Sequence, residues 1–464
     1  MDLTRLTISK SSELLAQRQI SPVELTKAHL ERIQMVEPLL NCFITQTADL
    51  ALEQARQAEI ELNKGRRRGE LHGIPLALKD LYETRNIRTT AGSKFFREHL
   101  PAQDAHTVQK LYQAGAVLLG KLNMHEIALG VTNVSPHFGA CRNPWDRRRS
   151  TGGSSGGSAA ALAAGMCMGS LGTDTGGSIR IPASLCSVVG LKPTTGRVSL
   201  RGVIPLSWNL DHSGPLARSV RDVGVLLQAI AGYDADDPYS VDMPVPDYLA
   251  ELGNGVRDWR VALATDEFFT GKTDPHIWRG IEEAAEIFTR LGAKVQRVET
   301  LQAYDAARAN RLMVTSDAAA FHRERMVQHI EDFGEDIRLR LESGAAVTST
   351  EYSQARHLQT VLRRRYAEFF EAYDILLTPT TPVAAPIIVL GPDAIEQARL
   401  LTRFTSPFNL LGLPALSLPC GFTADGLPFG LQIVSRFWGE VSVLRAAFAY
   451  EQETEWHLQW PALG

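Results

Sequence analysis

Val108-Gln109-Lys110-Leu111-Tyr112-Gln113-Ala114-Gly115, followed at once by Ala116-Val117-Leu118-Leu119-Gly120, is the stretch on which the fold turns. Its first half reads as an amphipathic helix closed by glycine, and its second as a short buried strand. A helix handed directly to a buried strand is the alternation of an α/β layer fold. Toward the amino terminus, Leu71-His72-Gly73-Ile74-Pro75-Leu76-Ala77-Leu78-Lys79-Asp80 is a second apolar run that ends in two charges, so Lys79 stands at a strand tip. Farther back, Ser21-Pro22-Val23-Glu24 combines a capping side chain, a proline at the first helical position and a glutamate three residues after the cap. That combination predicts a helix running to about Val36. Toward the carboxyl terminus, amphipathic segments at 220–230, 277–291 and 352–370 alternate with strand-like runs at 261–264 and 375–377. The expected architecture is a single large α/β/α layered domain over 1–464, with a central mixed, twisted sheet covered by helices. Within it the sequence predicts a core at about 65–220, a variable pocket region at about 230–410 and a return to the core at 405–464. The stretch 234–247, rich in proline and aspartate, is the most linker-like part of the chain.

Bulk properties narrow the function classes. The chain has 464 residues, 44% hydrophobic and 22% charged, which is ordinary for a globular protein with a large core. A formal charge of −4 gives no electrostatic reason to bind nucleic acid directly or to adhere to an anionic membrane. Five scattered cysteines, none in a C-x-x-C arrangement, argue against structural zinc and a disulfide framework, so neither a metal nor another cofactor is expected. The polar amino terminus, interrupted by Asp2, Arg5, Lys10 and Glu13, lacks a secretion signal, and the expectation is a cytoplasmic protein. A small-molecule partner fits this profile, and association into a homodimer stays open.

Two clusters of small residues carry the chemistry: Gly152-Gly153-Ser154-Ser155-Gly156-Gly157-Ser158, and Leu171-Gly172-Thr173-Asp174-Thr175-Gly176-Gly177-Ser178-Ile179-Arg180-Ile181-Pro182. At roughly 7% abundance per residue type, seven specified residues in a row arise by chance about once in ten million to a hundred million positions. Paired glycines let the main chain approach a ligand and present the following serine on an unusual turn. The amides of Thr175, Gly176, Gly177 and Ser178 are then candidate donors to the oxyanion of a tetrahedral intermediate. Ser178 is a candidate nucleophile, and a serine nucleophile needs a base.

Competing readings of the same residues can be weighed. Taken alone, Lys79 reads as half of a salt bridge with Asp80. Gly152-x-Ser154-x-Gly156 also satisfies the nucleophile-elbow pattern, which requires a late histidine. The candidates His322, His329, His357 and His457 sit in helical-looking or terminal stretches instead of on a loop after a strand. Neither glycine cluster matches a phosphate-cradling loop. Asp174 and Arg180 read as an ion pair bracing the nucleophile loop, with Gly153 and Ser155 as further loop support. The runs 64–68 and 147–149 read as solvated charge.

Lys79 in HGIPLALKD, Ser154 in GGSSGGS and Ser178 in GTDTGGSIRIP together resemble the amidase signature family of hydrolases. The likeness extends through Asn143-Pro144-Trp145-Asp146, Gly190-Leu191-Lys192-Pro193-Thr194, Asp211-His212-Ser213-Gly214-Pro215 and Asn409-Leu410-Leu411-Gly412-Leu413-Pro414. It implies the amidase signature fold, with Ser178 as nucleophile, Ser154 as a bridging serine after a cis peptide at Gly153–Ser154, and Lys79 as general base. It implies hydrolysis of a small-molecule amide, extending to esters or carbamates, in a pocket built from the Lys79-side loops, 124–132 and about 300–410. The alternative within the resemblance is the glutamine-hydrolysing component of a tRNA-dependent amidotransferase, which clamps glutamine with an arginine and an aspartate. Arg340 matches the arginine, but Thr402 stands where the aspartate is expected. An alternative of another class is a noncatalytic scaffold or binding protein, against which the intact triad argues.

Overall fold

A computed structural model describes residues 1–463. Its central element is an eleven-stranded mixed sheet. In chain order the strands are β1 (Phe43–Gln46), β2 (Pro75–Lys79), β3 (Val117–Leu122), β4 (Gly169–Thr173), β5 (Val189–Lys192) and β6 (Ser213–Ala217). There follow β7 (Arg260–Ala264), β8 (Lys294–Val298), β9 (Ile375–Pro379), β10 (Ala415–Phe422) and β11 (Pro428–Val434). Their spatial order is β1-β3-β2-β4-β6-β5-β10-β11-β9-β7-β8, so the strand predicted at 116–120 lies near one edge and the strand ending in Lys79 is farther in. Helices cover the sheet, and most strands are apolar on both faces because both faces are packed.

The sheet order explains where the chemistry gathers. Strand β2 runs parallel to β4, so Lys79 and Thr173 emerge from the same edge. Strand β6 runs antiparallel to β4 with Ser213 opposite Thr173, which brings Asp211 and His212 to that edge as well. Ligands of α/β sheets bind outside the carboxyl ends of strands, and here two neighbouring strands end together.

Local sequence accounts for the flanking elements. Ser21 accepts from the Glu24 amide at 3.1 Å while the Glu24 carboxylate accepts from the Ser21 amide at 2.8 Å. The helix Pro22–Leu40 that follows runs four residues past the expected Val36. Pro38 falls in its last turn, and buried Leu40 rewards the extra turn. The alanine-rich helix Gly156–Ala163 is buried throughout. A side chain at Gly157 would collide with the Asn123 carbonyl, so glycine is what allows this close approach. The stretch 234–247 forms neither helix nor strand, yet it is tied down: the Asp234 carboxylate accepts from Ser199 at 2.7 Å and from Arg201 at 2.8 Å. Among the described residues no helix is long and apolar enough to cross a membrane, and no cluster of three or more metal-ligating side chains is present.

Candidate active site

Lys79 ends β2 with its side chain fully buried, and its Nζ donates to Ser154 Oγ at 2.7 Å and to Thr173 Oγ1 at 2.7 Å. Asp80 has other partners. Its carboxylate lies 3.3 Å from Lys121 Nζ and accepts from the Thr90 amide at 2.8 Å, so the salt bridge suggested by the Lys79-Asp80 dipeptide is made by Lys121 instead. Burial lowers the Lys79 ammonium to about 7, with the nearby Asp211 and Asp174 carboxylates opposing the shift. An amine with that value is half neutral near neutral pH, the range in which a general base is most useful. Thr173, to which the sequence assigns no role, is the second partner that fixes this amine. Its signal is its place as the last residue of the strand leading into the loop that carries Ser178.

The two glycine loops are laced together. The Gly153–Ser154 peptide is cis. The Ser155 amide donates to the Ser178 carbonyl at 3.2 Å, the Ser155 hydroxyl reaches the Thr173 carbonyl at 3.3 Å, and the His125 amide donates to the Ser154 carbonyl at 3.2 Å. Lys79 and Ser154 therefore meet through side chains, while the two loops carrying Ser154 and Ser178 are joined through backbone. No hydrogen bond links the two serine hydroxyls among the described residues, and Ser178 lines the cavity. Catalytic contacts of this kind commonly tighten only when substrate is present.

Behind the loop that carries Ser178 lies a buried ion pair. Arg180 Nη2 is 2.9 Å from Asp174 Oδ1 and Nε is 3.0 Å from Oδ2, with both residues fully buried. Arg180 also donates to Gln432 Oε1 at 2.6 Å, to Asn409 Oδ1 at 2.6 Å and to the Thr405 carbonyl at 3.1 Å. Asn409 Nδ2 returns a bond to Asp174 at 2.8 Å. Burial pushes the Asp174 carboxyl upward, but the Arg180 guanidinium overrides it and holds the group well below the usual carboxylate range. Asn409 and Gln432 complete this network from a helix and a strand far along the chain.

The expected oxyanion donors separate into two groups. The Gly177 amide donates to Asp174 Oδ1 at 2.7 Å, so it is turned inward and does not belong with the other three. The Ile179 amide also donates to Asp174, at 3.1 Å, and the carboxylate thus caps the start of the helix Arg180–Cys186. The amides of Thr175, Gly176 and Ser178 have no protein acceptor among the described residues, and these residues line the cavity. Glycine at 177 is required by shape as well: its φ is +131°, and a Cβ there would strike the Thr405 hydroxyl.

The cavity holds about 680 Å³ and is lined on one side by 128–131 and by Thr175, Gly176 and Ser178. Its outer wall comes from the helices Ala303–Phe321 and Pro392–Leu401 and includes Arg340 and Thr402. Asn310 Nδ2 donates to the Thr175 carbonyl at 3.2 Å and ties that wall to the loop that carries Ser178. None of the late histidines lines the cavity. His322 is buried between the rings of Phe321 and Phe333 and is held down to about 3 by burial, so the elbow reading has no base. Arg148 and Arg149 pair with Asp146 outside the cavity.

Comparison with known proteins gives concordant matches. The Amidase family model matches residues 24–444. A glutamyl-tRNA(Gln) amidotransferase component of Geobacter sp. (strain M21) is 41% identical over 483 residues, covering 99% of each chain. An amidase of Pseudomonas putida is 40% identical over 468 residues, covering 99% of this chain and 98% of its own. Among solved structures, one described as a vestigial protein complex bearing on the origins of an s-triazine catabolic enzyme superimposes with a TM-score of 0.92 at 33% identity, over 97% of this chain and 98% of that one.

Proposed function

The chain belongs to the amidase family, and on that premise we propose that it cleaves the carbon–nitrogen bond of a small-molecule amide through an acyl-enzyme on Ser178. The observation that carries this reading is the buried Lys79 amine, 2.7 Å from Ser154 Oγ and lowered to about 7. In its neutral form Lys79 takes the Ser154 proton as Ser154 takes that of Ser178, whose Oγ attacks the carbonyl carbon. The amides of Thr175, Gly176 and Ser178 hold the resulting oxyanion, each donor being worth about 3 kcal/mol of barrier. Collapse breaks the C–N bond, the proton returns through Ser154 to the departing nitrogen, and water releases the acid. Esters and carbamates share this path. The test is to trap the acyl group: mass spectrometry after quenching a p-nitroanilide or ester reaction should locate the adduct on Ser178. An adduct on Ser154, or turnover surviving Ser178→Ala, would sink the mechanism, and absence of hydrolysis across amides, esters and carbamates would favour a scaffold.

A second reading is favoured by the relatives. Proteins named as one component of glutamyl-tRNA(Gln) amidotransferase match at 38–41% identity over essentially the whole chain, and these names weigh toward glutamine more than toward any other single amide. On this reading Ser178 releases ammonia from glutamine for use by a partner protein. Arg340 in the cavity suits the glutamine carboxylate, while Thr402 offers no charge to its ammonium group. Glutamine hydrolysis that appears only with partner proteins and charged tRNA would select it.

A further inference from the structure

Three residues of the segment 125–133, which runs between the loop that carries Ser154 and the cavity, hold positive φ: Ile127 at 44°, Ala128 at 60° and Asn133 at 51°. Residues other than glycine keep such a backbone only where their surroundings impose it. Here two consecutive side chains do so. Glu126, fully buried, accepts from the Ser93 hydroxyl at 2.7 Å and from the Gly334 amide at 2.9 Å. His125, also buried, has Nε2 3.0 Å from Asp336 Oδ2 and Nδ1 3.4 Å from the Thr132 hydroxyl. Gly334 and Asp336 open the helix Glu335–Ala345, so both side chains grip the same end of one helix. The chain then folds back over the imidazole. A Cβ at Gly130 would lie 2.2 Å from Nε2, and glycine is what lets the cavity-lining stretch 128–131 pass this close to the ring.

From this segment the contacts run in two directions. Toward the floor, the His125 amide donates to the Ser154 carbonyl at 3.2 Å, and the Thr132 carbonyl accepts from the Ser150 hydroxyl at 2.8 Å. A Cβ on Gly153 would press on the Asn133 amide at 3.1 Å. Toward the wall, Asp336 lies 4.0 Å from Arg340 Nε, one helical turn on. Arg340 lines the cavity and donates to the Ala394 carbonyl at 3.5 Å in the helix Pro392–Leu401. Burial pushes the Asp336 carboxyl upward, but His125 and Arg340 overcome it and hold the group below the usual carboxylate value. An ionised carboxylate can only accept, so the proton of the His125–Asp336 bond is on Nε2. Neither side chain lines the cavity.

We infer that His125 and Asp336 are positioning residues for the proton relay, holding Ser154 in register with the helix that carries Arg340 into the cavity. This rests on the amidohydrolase reading, in which Ser154 returns a proton to the departing nitrogen, and it adds to that reading the pair that aims Ser154. A reacting group displaced by about 1 Å can cost a hundredfold in rate even when the substituted residue is remote from the chemistry.

The test compares a p-nitroanilide with the p-nitrophenyl ester of the same acid, on the full chain. Expulsion of the anilide nitrogen needs the proton that Ser154 returns, whereas p-nitrophenolate leaves without one. Asp336→Ala should therefore lower kcat for the anilide by about tenfold to a hundredfold, with KM within about twofold, and should lower ester turnover less. His125→Ala should match it, and the double variant should be no slower than either single one, because both act through one link. Asp336→Asn keeps the shape and a neutral acceptor, and is the variant to read if the alanine substitutions do not fold. It should lower the anilide-to-ester ratio by about twofold to fivefold, the step from a charge-assisted to a neutral bond. An unchanged ratio in the folded variants, a raised KM at constant kcat, or additive losses in the double variant would make the pair a brace of the fold and overturn the inference alone. No hydrolysis of amides or esters by the unmodified chain would overturn the amidohydrolase reading and the inference with it.

Discussion

The floor of the site and its outer wall are built from opposite materials. Lys79, Ser154, Asp174 and Arg180 are fully buried, and their polar atoms meet one another, the side chains of Thr173, Asn409 and Gln432, or backbone within the protein. On the wall, Arg308, Arg311 and Arg399 are exposed, and the ion pair Arg399–Glu396 is in water. Identical chemical groups therefore carry different weight in the two places. The Arg180 guanidinium in the floor is fixed by five hydrogen bonds and braces a loop, whereas Arg308 and Arg311 on the wall are exposed and line the cavity. On the proposed mechanism the floor carries the reaction, and the wall is where substrates would be told apart.

The sharpest way to break this division is to remove the proposed nucleophile. Ser178→Ala should lower kcat by about four to six orders of magnitude, as loss of a serine nucleophile does, with an unchanged melting curve. Stopped assays on a p-nitroanilide check it, and substantial residual turnover would move the reaction out of the floor. Next in size is Arg180→Met. Removing one partner of a buried pair leaves Asp174 charged and unpaired, at a cost of about 3–5 kcal/mol in urea unfolding. Turnover should fall with it, because Asp174 also orients the Gly177 amide and the start of the following helix. A small change in unfolding would mean the pair is not bracing the loop.

The contrast also explains what can be read in advance. The floor is carried by short contiguous motifs, so Ser154, Ser178, Asp174 and Arg180 stand out by their neighbours, and Lys79 gains its role from their company. Glutamine at 432 has no such signal: it lies in the strand Pro428–Val434 and meets Arg180 across 252 positions. The inward turn of the Gly177 amide is hidden for a different reason, since it depends on where the Asp174 carboxylate points. For the fold, the alternation around 108–120 is enough for the class, and the strand ending at Lys79 forms as expected. The mixed order of the sheet is not legible, because it depends on pairings such as β5 with β10 that join residues over two hundred positions apart. On the wall, Arg308, Arg311 and Arg399 look like the polar faces of amphipathic helices, and only packing decides that those faces enclose a cavity.

A third test reads the floor through pH. With Lys79 lowered to about 7, the neutral amine predominates above that pH and the ammonium below it. kcat/KM should therefore fall about tenfold per unit as pH drops below 7, and level off above it. Asp211 is the carboxylate that most opposes the shift, so Asp211→Asn should move this acidic limb to lower pH. A limb that stays fixed in the variant would assign the titration to another group.

The smallest expected effect belongs to the wall. Glu396→Gln removes the partner of Arg399, but the two side chains are 70% and 53% exposed and lie one turn apart on a helix surface. Water and salt already screen such a pair, whose worth is typically about 0.2–0.5 kcal/mol. Unfolding by urea should therefore shift by no more than about 0.5 kcal/mol, roughly a tenth of the change at Arg180. Its effect on catalysis has the opposite sign: with one fewer acid on a cationic wall, an anionic amide should be attracted more strongly and its KM should fall modestly. Arg399 released from Glu396 is then free to swing toward the ligand, so the KM change should shrink as ionic strength rises while the small stability change persists. A loss of stability as large as that at Arg180 would show that the wall is braced like the floor, and the division between the two regions would have to be given up.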